Sequence, residues 1–165
     1  MLNLQASTTP PLATLAITEV LADPQGPEPA QEYVEIWNFG PDAIALDGLQ
    51  LSDDGSLVGQ IITSSRSLPS GGYALLVADD YDPEQGLDLA PAPGVPLVRV
   101  GKSLAKSGLA NRGEPLFLRD ASGNRLSASP ASKAPAGICL TRIPGTPPRL
   151  GTSEEFTTAP CSPGQ

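Results

Sequence analysis

Glu32-Tyr33-Val34-Glu35-Ile36-Trp37-Asn38-Phe39 is the stretch of this chain that decides its fold class. In an extended backbone Val34 and Ile36 fall on one face and Glu35 and Trp37 on the other, the alternation of a half-buried strand. Asn38-Phe39-Gly40-Pro41-Asp42 then turns the chain. Beyond the turn, Ile44 and Leu46 share one parity and Leu49 and Leu51 the other, so the pattern slips by one residue across Asp47-Gly48. A slip of that kind predicts a bulge or tight turn that carries the chain from one sheet towards a second. Upstream, residues 12–22 alternate as a strand, with Leu15 and Ile17 on one face, and Pro24, Pro27 and Pro29 mark the following segment as a loop. Further strands are predicted at 60–63, 73–78, 97–100, 115–119, 125–127 and 138–142, while 104–110 offers at most a single helical turn. Residues 1–11 read as a linker and 12–165 as one domain. Eight or nine short strands separated by turns predict an all-β, immunoglobulin-like antiparallel sandwich.

Composition agrees. The 165 residues are 39% hydrophobic, enough to bury one core, and 17 glycines and 19 prolines favour short elements joined by turns. No apolar run reaches the roughly 20 residues that span a bilayer as a helix, so no membrane span is expected. The chain has no histidine, which excludes Ser-His-Asp and Cys-His triads and histidine-ligated zinc. The net charge of -8 disfavours nucleic acid and anionic membrane surfaces on average. That average hides an asymmetry: residues 1–98 hold fourteen carboxylates against the single Arg66, whereas 99–165 hold nine basic and four acidic residues. Mutual neutralisation across neighbouring strands is the preferred account. A basic face built from Arg99, Lys102, Lys106, Arg112, Arg119 and Arg125, with Phe117 as a stacking ring, is the alternative, and it would make the domain a nucleic-acid-associated accessory.

Cys139 and Cys161 do not form a CxxC pair, so a disulfide that pins the C-terminal tail, in an oxidising compartment, is the natural expectation; two reduced buried thiols are the alternative. The opening MLNLQASTTPPLA has neither the basic region nor the long apolar region of a signal peptide, and reads as a domain cut from an exported protein without its export signal.

Asp79, Asp80, Asp82, Glu84 and Asp88 crowd one loop, and alternating oxygen ligands are what calcium coordination asks for. The spacing departs from an EF-hand. With Asp80, Asp82 and Glu84 as its first, third and fifth ligands, Gln85 falls where the turn needs glycine and Pro91 where the bidentate glutamate belongs, which favours a solvated acidic loop over a metal site. Ser103-Leu104-Ala105-Lys106 matches S-x-x-K without the companion elements of such enzymes, and Gly101-Lys102-Ser103 lacks the first glycine of a phosphate loop. No catalytic set and no cofactor site emerge.

The segment Glu32 to Asn38, followed by Ile44-Ala45-Leu46-Asp47-Gly48-Leu49-Gln50-Leu51-Ser52-Asp53, resembles the two signature stretches of the lamin tail domain family, in its bacterial immunoglobulin-like form. Residues 68–77 are similar to its Leu-x-x-Gly-x-x-x-Leu stretch and 109–124 to its late hairpin. Cys139 to Arg142 and Cys161 to Gly164 resemble its closing strand and tail. The resemblance implies a non-catalytic structural or binding module, used in bacteria beside exported proteins for protein-protein or cell-surface attachment. It supplies no catalytic residues. Residues 79–96 read as an insertion, and the absence of rod heptads and of a basic localisation run separates the chain from nuclear lamins.

Overall fold

In a computed structural model, which describes residues 13–55, 58–148 and 150–165, the chain forms an all-β sandwich. The linker expected over 1–11 lies outside the described residues. The strands are β1 (Leu15–Leu21), β2 (Tyr33–Asn38), β3 (Ile44–Ala45), β4 (Gln50–Ser52), β5 (Gln60–Ile61), β6 (Ser67–Leu68), β7 (Tyr73–Val77), β8 (Leu97–Arg99), β9 (Leu116–Arg119), β10 (Arg125–Ser129), β11 (Ile138–Arg142) and β12 (Phe156–Pro160). Single 3-10 turns occupy Leu104–Lys106 and Ser153–Glu155. One sheet runs β12-β11-β1-β2-β7-β8, a second β10-β9-β4-β5, and β3 pairs with β6 alone.

The parity read from the sequence sets the layers. Leu15, Ile17, Val34, Ile36, Ala74 and Leu76 point from the six-stranded sheet into one core, where they meet Leu51, Leu116, Leu118 and Leu126 from the other. The slip at Asp47-Gly48 is the corner where the chain leaves β3 for β4 in a different sheet. Gly48 takes a φ of +79° there, a conformation open to glycine, and its N–H donates to the Ile62 carbonyl at 2.9 Å. Leu46 and Leu49 both reach the core from the two sides of the corner.

Three features depart from expectation. The sandwich is not wholly antiparallel, because β8 pairs with β7 in parallel. Residues 78–96 form the long crossover that such a pairing requires. β6 and β12 were not legible: β6 has two residues, and β12 is an edge strand whose Thr157 and Thr158 are exposed and which ends on Pro160, so neither alternates.

Asn38, which ends the signature strand, holds the corner around it. Its amide donates to the carbonyls of Asp42, Leu68 and Pro69, and its Oδ1 accepts from the Thr14 hydroxyl and the Gly40 N–H. The side chain is fully buried. Asn38→Ala is therefore expected to cost about 2 kcal/mol, the penalty of stranding buried carbonyls without donors, measured as a lower urea midpoint at unchanged slope.

Candidate functional site

The inner face of the six-stranded sheet is used up by the core, so any site on this sheet lies on its outer face. One half of that face carries a second apolar cluster of Leu21, Tyr33, Leu75, Val77, Tyr81, Cys139 and Cys161. The 79–96 segment and the C-terminal tail cover this cluster. Tyr81 packs into it, the Ala92 N–H donates to the Pro163 carbonyl, and the Arg99 guanidinium fastens the loop by donating to the carbonyls of Ala78, Asp79 and Tyr81. Cys139 on β11 and Cys161 are joined in a disulfide, the expected staple of the tail.

Two glutamates lie beneath the tail. A register shift after Ile17 places Glu19 of β1 directly opposite Glu35 of β2 on the outer face, and both side chains are almost wholly buried. Glu19 accepts from the Tyr33 hydroxyl and from the N–H and hydroxyl of Ser162; Glu35 accepts from the Thr18 hydroxyl and the Gly164 N–H. This pairing was not legible in the sequence, because it depends on strand register and on a tail far away in the chain. It is a clamp for the tail and not a catalytic pair, since these acceptors already face donors of the protein itself and are closed to solvent.

Burial, opposed in part by the hydrogen bonds from Thr18 and Gly164 and reinforced by Glu19, raises the Glu35 pKa to about 7. Burial likewise raises Glu32 to about 7, against the N–H of Leu109. Each group binds a proton more tightly folded than unfolded, so stability is greatest below the unfolded value near 4.5 and falls as pH rises to about 7, then levels off. A melting temperature higher at pH 5 than at pH 8 is the expected result, and Glu35→Gln should flatten the slope. An unchanged slope in that variant would show that Glu35 is ionised when folded.

The other half of the outer face is open. It forms a groove of about 570 Å³. Across it lie the loop after β11 with Ile143, Pro144 and Pro148, then Ala16 and Thr18 of β1, Trp37 of β2, and Tyr73 of β7. Trp37 and Tyr73 are direct cross-strand neighbours whose rings lie within 17° of parallel, 6.1 Å between centroids. Phe39, 41% exposed, extends the strip, tilted by 46° at 5.8 Å from Trp37. The parity of Trp37 was legible, and the structure sets it half-buried in this groove. Nothing in the sequence pointed to Tyr73 or Ile143 as its neighbours.

The other residues singled out in the sequence are not assembled in this way. Asp82 accepts from the Glu84 N–H and the Gln85 amide, and Asp88 from the Gln25 N–H. Among the described residues, Asp79, Asp80, Asp82, Glu84 and Asp88 supply no three ligand atoms within 4.8 Å of one another; Glu19, Cys139 and Cys161 do, but both of those sulfurs are bonded to each other. Of the six basic residues three stand on strands of the two sheets, while Lys102 and Arg112 lie in loops and Lys106 ends the first 3-10 turn. Arg99 stands on β8, whereas Arg119 and Arg125 stand on β9 and β10, where both guanidinium groups lie over Phe117. Arg119 also donates to the carbonyls of Gly55 and Gly123.

These features define an immunoglobulin-like sandwich with an open groove on one outer face and a clamped tail beside it. The Lamin Tail Domain family model matches residues 8–130, most of the chain, and the chain belongs to that family of non-catalytic domains. The match ends before β11, so the groove wall at Ile143 to Pro148, the disulfide and the tail donors of the clamp, Ser162 and Gly164, lie beyond the matched segment, whereas Glu19 and Glu35 lie within it. No curated protein and no solved structure matches the chain. No helix among the described residues is long and apolar enough to cross a membrane.

Proposed function

We propose that the domain is a non-catalytic attachment module of an exported bacterial protein, joining it to a protein or cell-surface partner through the outer face of the six-stranded sheet. The observation that carries this reading is the groove flanked by Trp37, Tyr73 and exposed Phe39, an apolar concavity on a sheet face that the fold does not itself cover. The Cys139–Cys161 disulfide supports export, because such bonds persist in oxidising compartments. A benzophenone amino acid in place of Phe39, in the domain secreted by its native host, should crosslink one discrete envelope partner on illumination. The same group at Val58, exposed and distant from the groove lining, should not. Equal labelling from both positions, or none from either, would sink the reading.

A further inference from the structure

The lining of the groove narrows the chemistry of its occupant. Its carboxylates, Glu19 and Glu35, are turned to the clamp, and the Arg142 guanidinium points inward, where it donates to the carbonyls of Ile17, Ala128 and Pro147. The Thr18 and Thr146 hydroxyls donate within the protein, to Glu35 and to the Ile143 carbonyl. The indole N–H of Trp37 and the hydroxyl of Tyr73, by contrast, make no hydrogen bond to another described residue. Burial and Glu35 raise the pKa of Tyr73, which keeps it a donor. The groove therefore offers flat apolar surface on both sides, side-chain donors between them, the Gln165 amide at one end, and neither a cationic nor a carboxylate side chain that is free.

An anionic ligand finds no counter-charge in such a site, and the chain's net charge of -8 repels it. A sugar, each of whose hydroxyls is a donor needing an acceptor, would find the Gln165 amide oxygen at one end of the groove but otherwise face engaged side chains. A polyproline II segment has the complementary character. It presents pyrrolidine rings to both walls, carries carbonyls with no internal partners, and has no N–H at its prolines to satisfy. Its conformation also exists before binding, so little ordering entropy opposes association. Resting on the attachment reading above, we propose that the groove between the Trp37–Tyr73 ring pair and Ile143, Pro144 and Pro148 binds a proline-rich peptide segment, with Trp37 and Tyr73 donating to its carbonyls. The acidic chain favours basic residues flanking that segment.

The probe is a fluorescein-labelled decaproline ending in two arginines, titrated with the intact domain and read by anisotropy. Trp37 is the single tryptophan of the chain, so unlabelled peptide should also shift its emission saturably. Trp37→Ala, which removes a central aromatic anchor, is expected to weaken binding at least about tenfold. Tyr73→Phe keeps the ring and removes one hydrogen bond, for a loss of about fivefold. Both variants lie on the outer face and should melt within a few degrees of the parent; Trp37→Phe tests the same point if the alanine variant does not fold. Phe117→Ala, on the other sheet, should bind as the parent does.

Equal anisotropy with a glycine-serine peptide bearing the same two arginines would overturn the proposal, as the binding would then be charge alone. So would saturable binding of cellohexaose in place of decaproline. Concentration-dependent self-association lost in Trp37→Ala, without peptide binding, would assign the groove to a second copy. If decaproline fails while the benzophenone at position 39 still captures one partner, the ligand class is wrong and the attachment face stands; if both fail, the attachment reading falls with it.

Discussion

Arg142→Met is expected to lower the stability of the domain by about 3–5 kcal/mol, the usual consequence of removing one member of a buried ion pair. Arg142 springs from β11 and reaches through the sandwich. Its Nε donates to the Ile17 carbonyl on β1 at 2.7 Å, Nη2 to the Ala128 carbonyl on β10 at 2.6 Å, and Nη1 to the Pro147 carbonyl at 2.9 Å. Nη1 also lies 3.4 Å from Glu155, and the guanidinium carbon stands 4.4 Å from the centroid of the Phe156 ring. One side chain thus ties together both sheets, the 147–148 turn and the last 3-10 turn. Burial pulls its pKa below the ordinary value and Glu155 pulls it back up; the guanidinium stays charged in either case, and Glu155 supplies its counter-charge. Methionine fills similar volume but strands the three carbonyls and leaves Glu155 buried without its cation.

For a chain of this size that loss corresponds to a fall of roughly 6–20 °C in melting temperature. Arg142→Lys keeps the charge without the fork of donors and should recover only part of it. The Glu155→Gln change in the Arg142→Met background separates the two causes: recovery would assign most of the loss to the orphaned carboxylate, and no recovery to the stranded carbonyls. A loss below about 1 kcal/mol in Arg142→Met, the range of an exposed pair, would show that water replaces the side chain.

Breaking the Cys139–Cys161 disulfide should be nearly as costly. The bond closes a loop with a sequence separation of 22. The chain-entropy account gives about 3 kcal/mol for a loop of this length, or roughly 6–12 °C in melting temperature. The local effect is larger than that figure suggests. Cys161 begins the tail whose Ser162 and Gly164 hold Glu19 and Glu35, so releasing it removes donors from both buried carboxylates. The paired Cys139→Ala and Cys161→Ala variant, compared with the parent before and after a reductant, provides the measurement. The parent should fall to the level of the variant on reduction, and the variant should not respond. Alkylation of the unreduced, denatured parent should add no label, and two added labels would remove both the staple and the principal support for export.

The strength of the sequence reading followed the range of the interactions. Val34, Ile36, Leu15 and Ile17 obey a period of two because every second residue meets the same core, so β1 and β2 could be read from neighbours alone. The corner at Gly48 was visible for the same reason, as a break in that period. β12 was not visible: as an edge strand it pairs only with β11, and its exposed threonines feel no core. The parallel setting of β8 was hidden because it is decided by where the long crossover returns, and local pattern carries no direction.

The sequence by itself determined the sandwich, the strands that form its core, the corner between sheets and the pair of cysteines, together with the exclusion of histidine chemistry. Tertiary structure alone decided what the outer face would do. Trp37 could be assigned a face from its parity, but the register of β2 against β7 brings Tyr73 to its side, and the order of strands sets Ile143 and the prolines across from it. Glu19 and Glu35 are paired by a shifted register and satisfied by a tail that follows them by more than a hundred residues. Patterning along a chain records which face each residue turns to the core, because burial is felt residue by residue. A site assembled from four strands and a tail is a set of distances between segments, and those exist only once the sheets have closed.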